Sequence, residues 1–350
     1  MNIPFLELDA HNLTEQDKYL LGPLQHFIGE WSNKDAAGTL NPQGWNLISI
    51  PGPKTSNPMV KGLTDGGFIF ETIPYYETLS FTPIAVTANF GTFANAADDG
   101  SQEIQQIGAL LYDQRVYSAG LEGLREDYPD KEELQAYFTK KNFNKGDAIH
   151  AEVGMLLNLS NFNADASLQI ARMGNIPHGN TMLCLGTGQS GISKGPQIQA
   201  QVSQETLTPI TENPKQSLPL AYASNTIEPN GGPTDRPFPF AAMDPRMPWT
   251  PLTQAIASAD ITSHTHLSLS TTRGTGGLLS IPFVGNTSVT APTMDTTQMD
   301  VDYWLSEDAN GAQTLQYFQN IRIVFPFTGD VERRRVVWPH IGMNTLTKQG

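Results

Sequence analysis

Seven histidines are spread along the chain, and five of them sit in strand-like stretches where an imidazole could bind a metal or carry a proton near neutral pH. His178 lies in Ile176-Pro177-His178-Gly179-Asn180, inside an apolar run. Strand alternation puts it on one face with Ile170, Arg172, Ile176 and Met182, unless Pro177 makes a bulge. His340 lies in Val336-Val337-Trp338-Pro339-His340-Ile341 and shares parity with Val336 and Trp338. His150 shares a face with Glu152, which can pair with it. Arg172 adds a fixed cation six residues from His178, roughly 20 Å along a flat strand. The two could touch one small substrate only if that strand bends sharply. His264-Thr265-His266 places two imidazoles at i and i+2, pointing the same way on a strand, and Asp260 is available as a further ligand. At every one of these positions the competing role is a structural, hydrogen-bonded histidine.

Composition narrows the chemistry further. The 350 residues carry 21 Lys and Arg against 35 Asp and Glu, a formal charge of −14. That balance argues against nucleic acid and anionic membrane as partners, because a phosphate-tracking surface needs clustered cations. The single cysteine, Cys184, excludes an intrachain disulfide, Cys-rich zinc sites and covalent haem attachment. No run of 18 apolar residues occurs, and Met1 to Ala10 lack the basic flank of a signal peptide. The expectation is a soluble, cytoplasmic protein. Gly186-Thr187-Gly188-Gln189-Ser190-Gly191 has dinucleotide-fingerprint spacing, but Gly195-Pro196 follows where a helix would have to begin. It is expected to be a glycine-rich turn between strands, and Ser190 lacks nucleophile-elbow spacing. Asp98-Asp99-Gly100-Ser101 has hairpin-turn chemistry, and Arg333-Arg334-Arg335 suits an outer strand face.

The elements that must position these residues are mostly strands. Low charge (16%), 31 Gly and 25 Pro favour an all-β fold. Strands are expected at about 45–50, 68–81, 84–93, 103–118, 148–159, 168–185, 196–202, 264–270, 278–284, 299–305, 315–327 and 333–341. Two helices are expected. One spans Thr14 to Phe27, with Thr14 as N-cap and a break at Gly22-Pro23; the other runs from Asp130 to Lys141. Residues 206–251 form a Pro/Gly-rich insertion within a single domain of 1–350, read as a lid, a homodimer arm or a surface loop without a role.

An amphipathic helix, then Gly29-Glu30-Trp31, then strand after strand resembles the calycin group of antiparallel β-barrels, in which a helix plugs one end. Ile176 to Asn180, the I-H-x-E-x-G pattern of Ile149 to Gly154 and the closing Trp338 to Leu346 resemble haem-binding barrels of the fatty-acid-binding-protein type, related to nitrobindins and in part peroxidase-like. The resemblance implies non-covalent haem b as cofactor, with His340 on iron and His178 as its rival. It implies a pocket of Trp338, Met182, Ile176, His150 and Glu152, with His178 and Arg172 acting on hydrogen peroxide or Arg172 pairing a propionate. Haem and a small-molecule substrate would then be the partners. Two other functions stay open: a carrier for a fatty acid or another apolar molecule, and a mononuclear metal enzyme on His264 and His266.

Overall fold

A computed structural model describes residues 5–34, 38–39, 44–51, 68–89, 104–119, 144–161, 165–176, 180–198, 210–211, 249–280, 295–326 and 335–350. These form fourteen strands and little helix. The expected helix from Asp130 to Lys141, the 98–101 turn, Arg333, Arg334, His178 and nearly all of the 206–251 insertion lie outside the described residues. Among the described residues no helix is long and apolar enough to cross a membrane.

The strands close into an antiparallel barrel of ten positions. Around it run β4 (Phe68–Asn89), β5 (Ile104–Ser118), β6 (Ala148–Asn158), β7 (Ile170–Ile176) and β8 (Asn180–Ser193). They are followed by β10 (Ile261–Ser270), β12 (Asp295–Asp308), β13 (Gln313–Pro326) and β14 (Arg335–Lys348). The tenth position is shared by β2 (Gly29–Ser32) and β3 (Gly44–Pro51), both pairing β14 on one side and β4 on the other. Closure comes from fifteen register pairs between β4 and β5, Tyr75↔Ser118 to Asn89↔Ile104. Three short strands add to this frame: β1 (Phe5–Glu7) on β4, β9 (Ile210–Thr211) on β14 and β11 (Gly277–Ser280) on β8. Helix α2 (Thr250–Ala255) lies against the outer side of β13 and β14, where Gln316 Nε2 donates to the Leu252 carbonyl at 2.7 Å.

Four expectations about the strands and their connections are corrected. The strands expected at 68–81 and 84–93 are one over 68–89, running through Pro83, and 90–93 lie outside the described residues. A strand residue's N–H and C=O point to the same side, and the Pro83 carbonyl accepts from Leu8 N at 3.1 Å. The missing N–H therefore faces the gap between the β2 and β1 pairings, not β5. The run 168–185 is two strands, β7 and β8, paired antiparallel from Ile170↔Gly186 to Ile176↔Asn180. The glycines at 186–191 are not a turn but the body of β8. Gly191, at φ +68°, sits where two residues of β8, Ser190 and Gly191, face one of β10, Thr265, a bulge that favours glycine. At 196–198 the chain belongs to no sheet, and 199–202 lie outside the described residues.

One end of the barrel is crossed by α1 (Glu15–Leu21) and a 3-10 helix (Gly22–Phe27). Thr14 and Asp17 form a capping box, and the break falls at Gly22-Pro23 as expected. Leu21, Leu24 and Phe27 are fully buried, Phe27 standing edge-on to Phe81 and Tyr303. Close approach depends on two glycines in the wall. A Cβ on Gly108 would strike the Leu20 backbone, and one on Gly188 would meet Pro23. Asn158 Nδ2 donates to the Leu20 carbonyl at 2.8 Å, and Trp31 Nε1 to the Phe27 carbonyl at 2.8 Å. Gly108→Ala should therefore cost about 1–3 kcal/mol in urea denaturation, by overpacking against backbone that cannot yield.

Candidate functional site

Alternation along β6 and β7 carries polar groups into the apolar interior. Glu152, Leu156 and Asn158 are buried on β6 while Ala151 and Val153 are exposed; on β7, Ile170, Arg172 and Ile176 are buried while Met173 and Asn175 are exposed. Arg172 Nη2 donates to Glu152 Oε1 at 2.6 Å, and both side chains are 1% exposed or less. Arg172 Nε donates to the Tyr112 hydroxyl at 3.3 Å and Nη1 to Gln319 Oε1 at 3.4 Å. The Tyr112 hydroxyl in turn donates to Glu152 Oε1. The guanidinium lies over the rings of Tyr112 and Tyr303, 5.3 and 5.6 Å from their centroids. Space for the Tyr112 phenol comes from Gly154 and Gly174, which face each other in register; a Cβ on either would collide with it.

The charges in this cluster are mutually dependent. Burial pushes the Glu152 carboxyl up, but the Arg172 guanidinium, His150 and Tyr112 outweigh it and hold it below its ordinary value. Burial likewise disfavours the Arg172 cation, and the Glu152 carboxylate more than restores it. His150 Nε2 is 3.7 Å from Glu152 Oε2, so the histidine and the arginine address different oxygens. Cys184, opposite Arg172 in register, is buried and its thiol is pushed up to about 12.

A second cluster centres on Glu77 of β4, also fully buried. Gln114 Nε2 donates to its Oε1 and Asn344 Nδ2 to its Oε2, each at 2.7 Å. The Tyr317 hydroxyl is 2.7 Å from Oε2 and 2.7 Å from the Tyr75 hydroxyl, which lies 2.8 Å from the Met343 carbonyl. Gln114 and Glu152 are register partners, so the two clusters are neighbours inside the barrel.

His340 is placed by the same geometry. Asn344 and Tyr317 are paired and both reach Glu77, so alternation along β14 puts Gly342 and His340 on the interior face as well. Gly342 is opposite Gln319, the residue bonded to Arg172, and His340 is the next inward position, opposite Ile321. His340 is half-buried. This is the barrel end away from the helices, where Ile176, Met182, Ile321 and Ile323 are also buried. The one-strand alternation that grouped Ile176 and Met182 with Arg172 came from a wrong element, yet all three are buried here on adjacent strands. Trp338 is opposite Ile323 in register.

His264 and His266 share the outer face of β10, as their spacing predicts. They are already engaged: the His264 ring bonds the Lys194 carbonyl at 2.7 Å, while His266 bonds Asp302 at 2.8 Å and stacks on Trp304 at 5.3 Å. Asp260 is used through its backbone, accepting from Ala309 N. Among the described residues no group of three or more His, Cys, Asp or Glu is placed to hold a metal ion. A cavity of about 780 Å³ lies mainly on the outer side of β5 to β8, lined by Leu111, Val153, Met155, Met173, Leu183 and Leu279.

Sequence reasoning missed Tyr112, Glu77, Gln114, Tyr317 and Asn344. Their signal was present in part: Tyr75, Glu77, Leu79 and Phe81 alternate inward with one acid among apolar residues. No family model matches the chain, and no curated protein matches it either.

Breaking the buried pair should be costly and removing it whole should be cheaper. Glu152→Gln is expected to lose about 3–5 kcal/mol in chemical denaturation, and Arg172→Met with Glu152→Leu to recover much of it. Because the folded carboxyl titrates below its ordinary 4.5, the stabilisation is complete above pH 4.5 and is lost as pH falls through the folded value.

Proposed function

We propose that the chain binds haem non-covalently at the barrel end away from the helices, with His340 as the iron ligand and hydrogen peroxide as substrate. The observation that carries this is the position of His340: half-buried, inward by alternation, on a wall with Ile321 and next to Gly342. The donor set fits the group. An imidazole is a normal haem ligand, and Ile176, Met182, Ile321 and Ile323 supply apolar surface. At Gly342 a side chain is missing from the interior wall; a Cβ there would meet only Asn46 Oδ1, at 3.3 Å. Bound haem supplies the peroxide and one-electron chemistry that amino-acid side chains lack.

The chain's own residues then divide the remaining work. Arg172 is committed to Glu152, so it anchors the inner limit of the site in place of touching substrate. His150, about one-fifth exposed and 3.7 Å from the Glu152 carboxylate, is the imidazole placed to hold or pass a proton. Glu152, kept ionised by Arg172, places a fixed negative charge beside that imidazole.

Titrating the purified protein with hemin should give a saturable Soret band. His340→Ala should abolish or shift it, while His178→Ala leaves it in place. Loss in His178→Ala alone moves the ligand to that residue. A wild-type protein that stays colourless defeats the proposal, and one that instead retains a lipid in native mass spectrometry favours the apolar carrier.

A further inference from the structure

We infer that Glu77 is a proton-binding site of the folded barrel: a neutral carboxylic acid that starts a one-way hydrogen-bond chain through Tyr317 and Tyr75 to the Met343 carbonyl. This goes beyond haem binding and does not depend on it.

Counting hydrogens leads there. Three oxygen–oxygen contacts lie in series, Glu77 Oε2 to Tyr317, Tyr317 to Tyr75, and Tyr75 to the Met343 carbonyl, at 2.7, 2.7 and 2.8 Å. Each needs one hydrogen between its oxygens. The two phenols supply two, and the carbonyl supplies none. With Glu77 ionised, one contact would press two oxygens together at hydrogen-bond distance with nothing between them. With a proton on Oε2, the acid donates to Tyr317, Tyr317 to Tyr75, and Tyr75 to Met343, and every contact is used once.

The amides around the carboxyl are fixed in a way that adds no further hydrogen to this series. Asn33 Nδ2 donates to Asn344 Oδ1 at 2.8 Å, and Thr345 N donates to the same oxygen at 2.8 Å. Asn344 must therefore present its NH₂ to Glu77. Its two hydrogens go to Oε2 and to Asn33 Oδ1, which also accepts from Glu77 N. Gln114 uses its NH₂ on Oε1, with Tyr317 a weaker second contact at 3.4 Å.

The contrast with Glu152 is chemical. Glu152 has a guanidinium at 2.6 Å, whereas among the described ion pairs none involves Glu77. The titratable groups facing Glu77 are Tyr75 on its own strand, Tyr317 on β13, Tyr303 on β12 and His150 on β6; the contacts from β5, β14 and the segment after β2 are the neutral amides of Gln114, Asn344 and Asn33. Burial, the largest influence, pushes the carboxyl up, and the hydrogen bonds and His150 only partly offset it. The two buried acids, with Gln114 bonded to Glu77 and opposite Glu152 in register, thus hold opposite protonation states, the pattern expected where one is paired with a cation and the other with phenols.

The test is infrared spectroscopy of the full chain at pH 7. Wild type should show the carbonyl stretch of a protonated carboxylic acid; Glu77→Gln should lose it and Glu152→Gln should keep it. Tyr317→Phe, which retains the acid but removes its acceptor, should move the band to higher frequency. No acid band in wild type, a band that survives Glu77→Gln, or one indifferent to Tyr317→Phe overturns the inference. Linkage gives a second readout. A folded value raised above the unfolded 4.5 means that stability is full below pH 4.5 and lost as pH rises towards the folded value. The ratio of unfolding constants, wild type over Glu77→Gln, should therefore rise about tenfold per pH unit in that window. A ratio independent of pH there also overturns it.

Discussion

Among the described residues, Arg172 and Glu152 form an ion pair in which both side chains are almost fully buried, and this pair constrains the interior. Neither charge is tolerable alone at its depth, so the strands that carry them, and Tyr112 and Gln319 that complete their hydrogen bonding, must be in place together. On the side of the helices the barrel is filled by Leu21, Leu24, Phe27, Leu110, Leu156, Ile170 and Tyr303, all buried. On the other side the inward positions pass to His150, His340, Ile176, Met182 and Ile321. The pair thus lies between a packed half and the half proposed to bind a ligand.

Glycines make this arrangement possible by what they omit. Gly108 and Gly188 let the helical segment press on the wall, and Gly154 and Gly174 leave room for the Tyr112 phenol that bonds Glu152. Each is a close approach of backbone or ring, a requirement set by neighbours distant in the chain. None carries a local turn signal that would mark it out.

That distinction explains what was legible in the sequence. Period-two alternation revealed the β class and most strands, and the capping pattern at Thr14 with the Gly22-Pro23 break located the helix. Local signals misled where pairing decides: the β7–β8 connection interrupts a run that looks like one strand, and Pro83 reads as a break although its missing donor faces a gap between neighbours. The site divides the same way. His150 beside Glu152 could be seen from spacing. Arg172 on Glu152 could not, because β6 and β7 meet with Leu156 opposite Arg172 and only three-dimensional register brings the acid within reach. The Glu77 cluster joins residues more than 200 positions apart and leaves no local trace beyond one inward acid.

The central functional claim concerns location, and a paramagnetic ligand reports location. Hemin added to ¹⁵N-labelled protein should broaden the amide resonances of Ile321 to Ile323 and Ile341 to Met343, leaving those of Leu21, Leu24, Phe27 and Gly108 sharp. Broadening centred on Met155, Met173 and Leu279, on the outer face, or on His264 and His266 would contradict the assignment of the barrel's far end as the site.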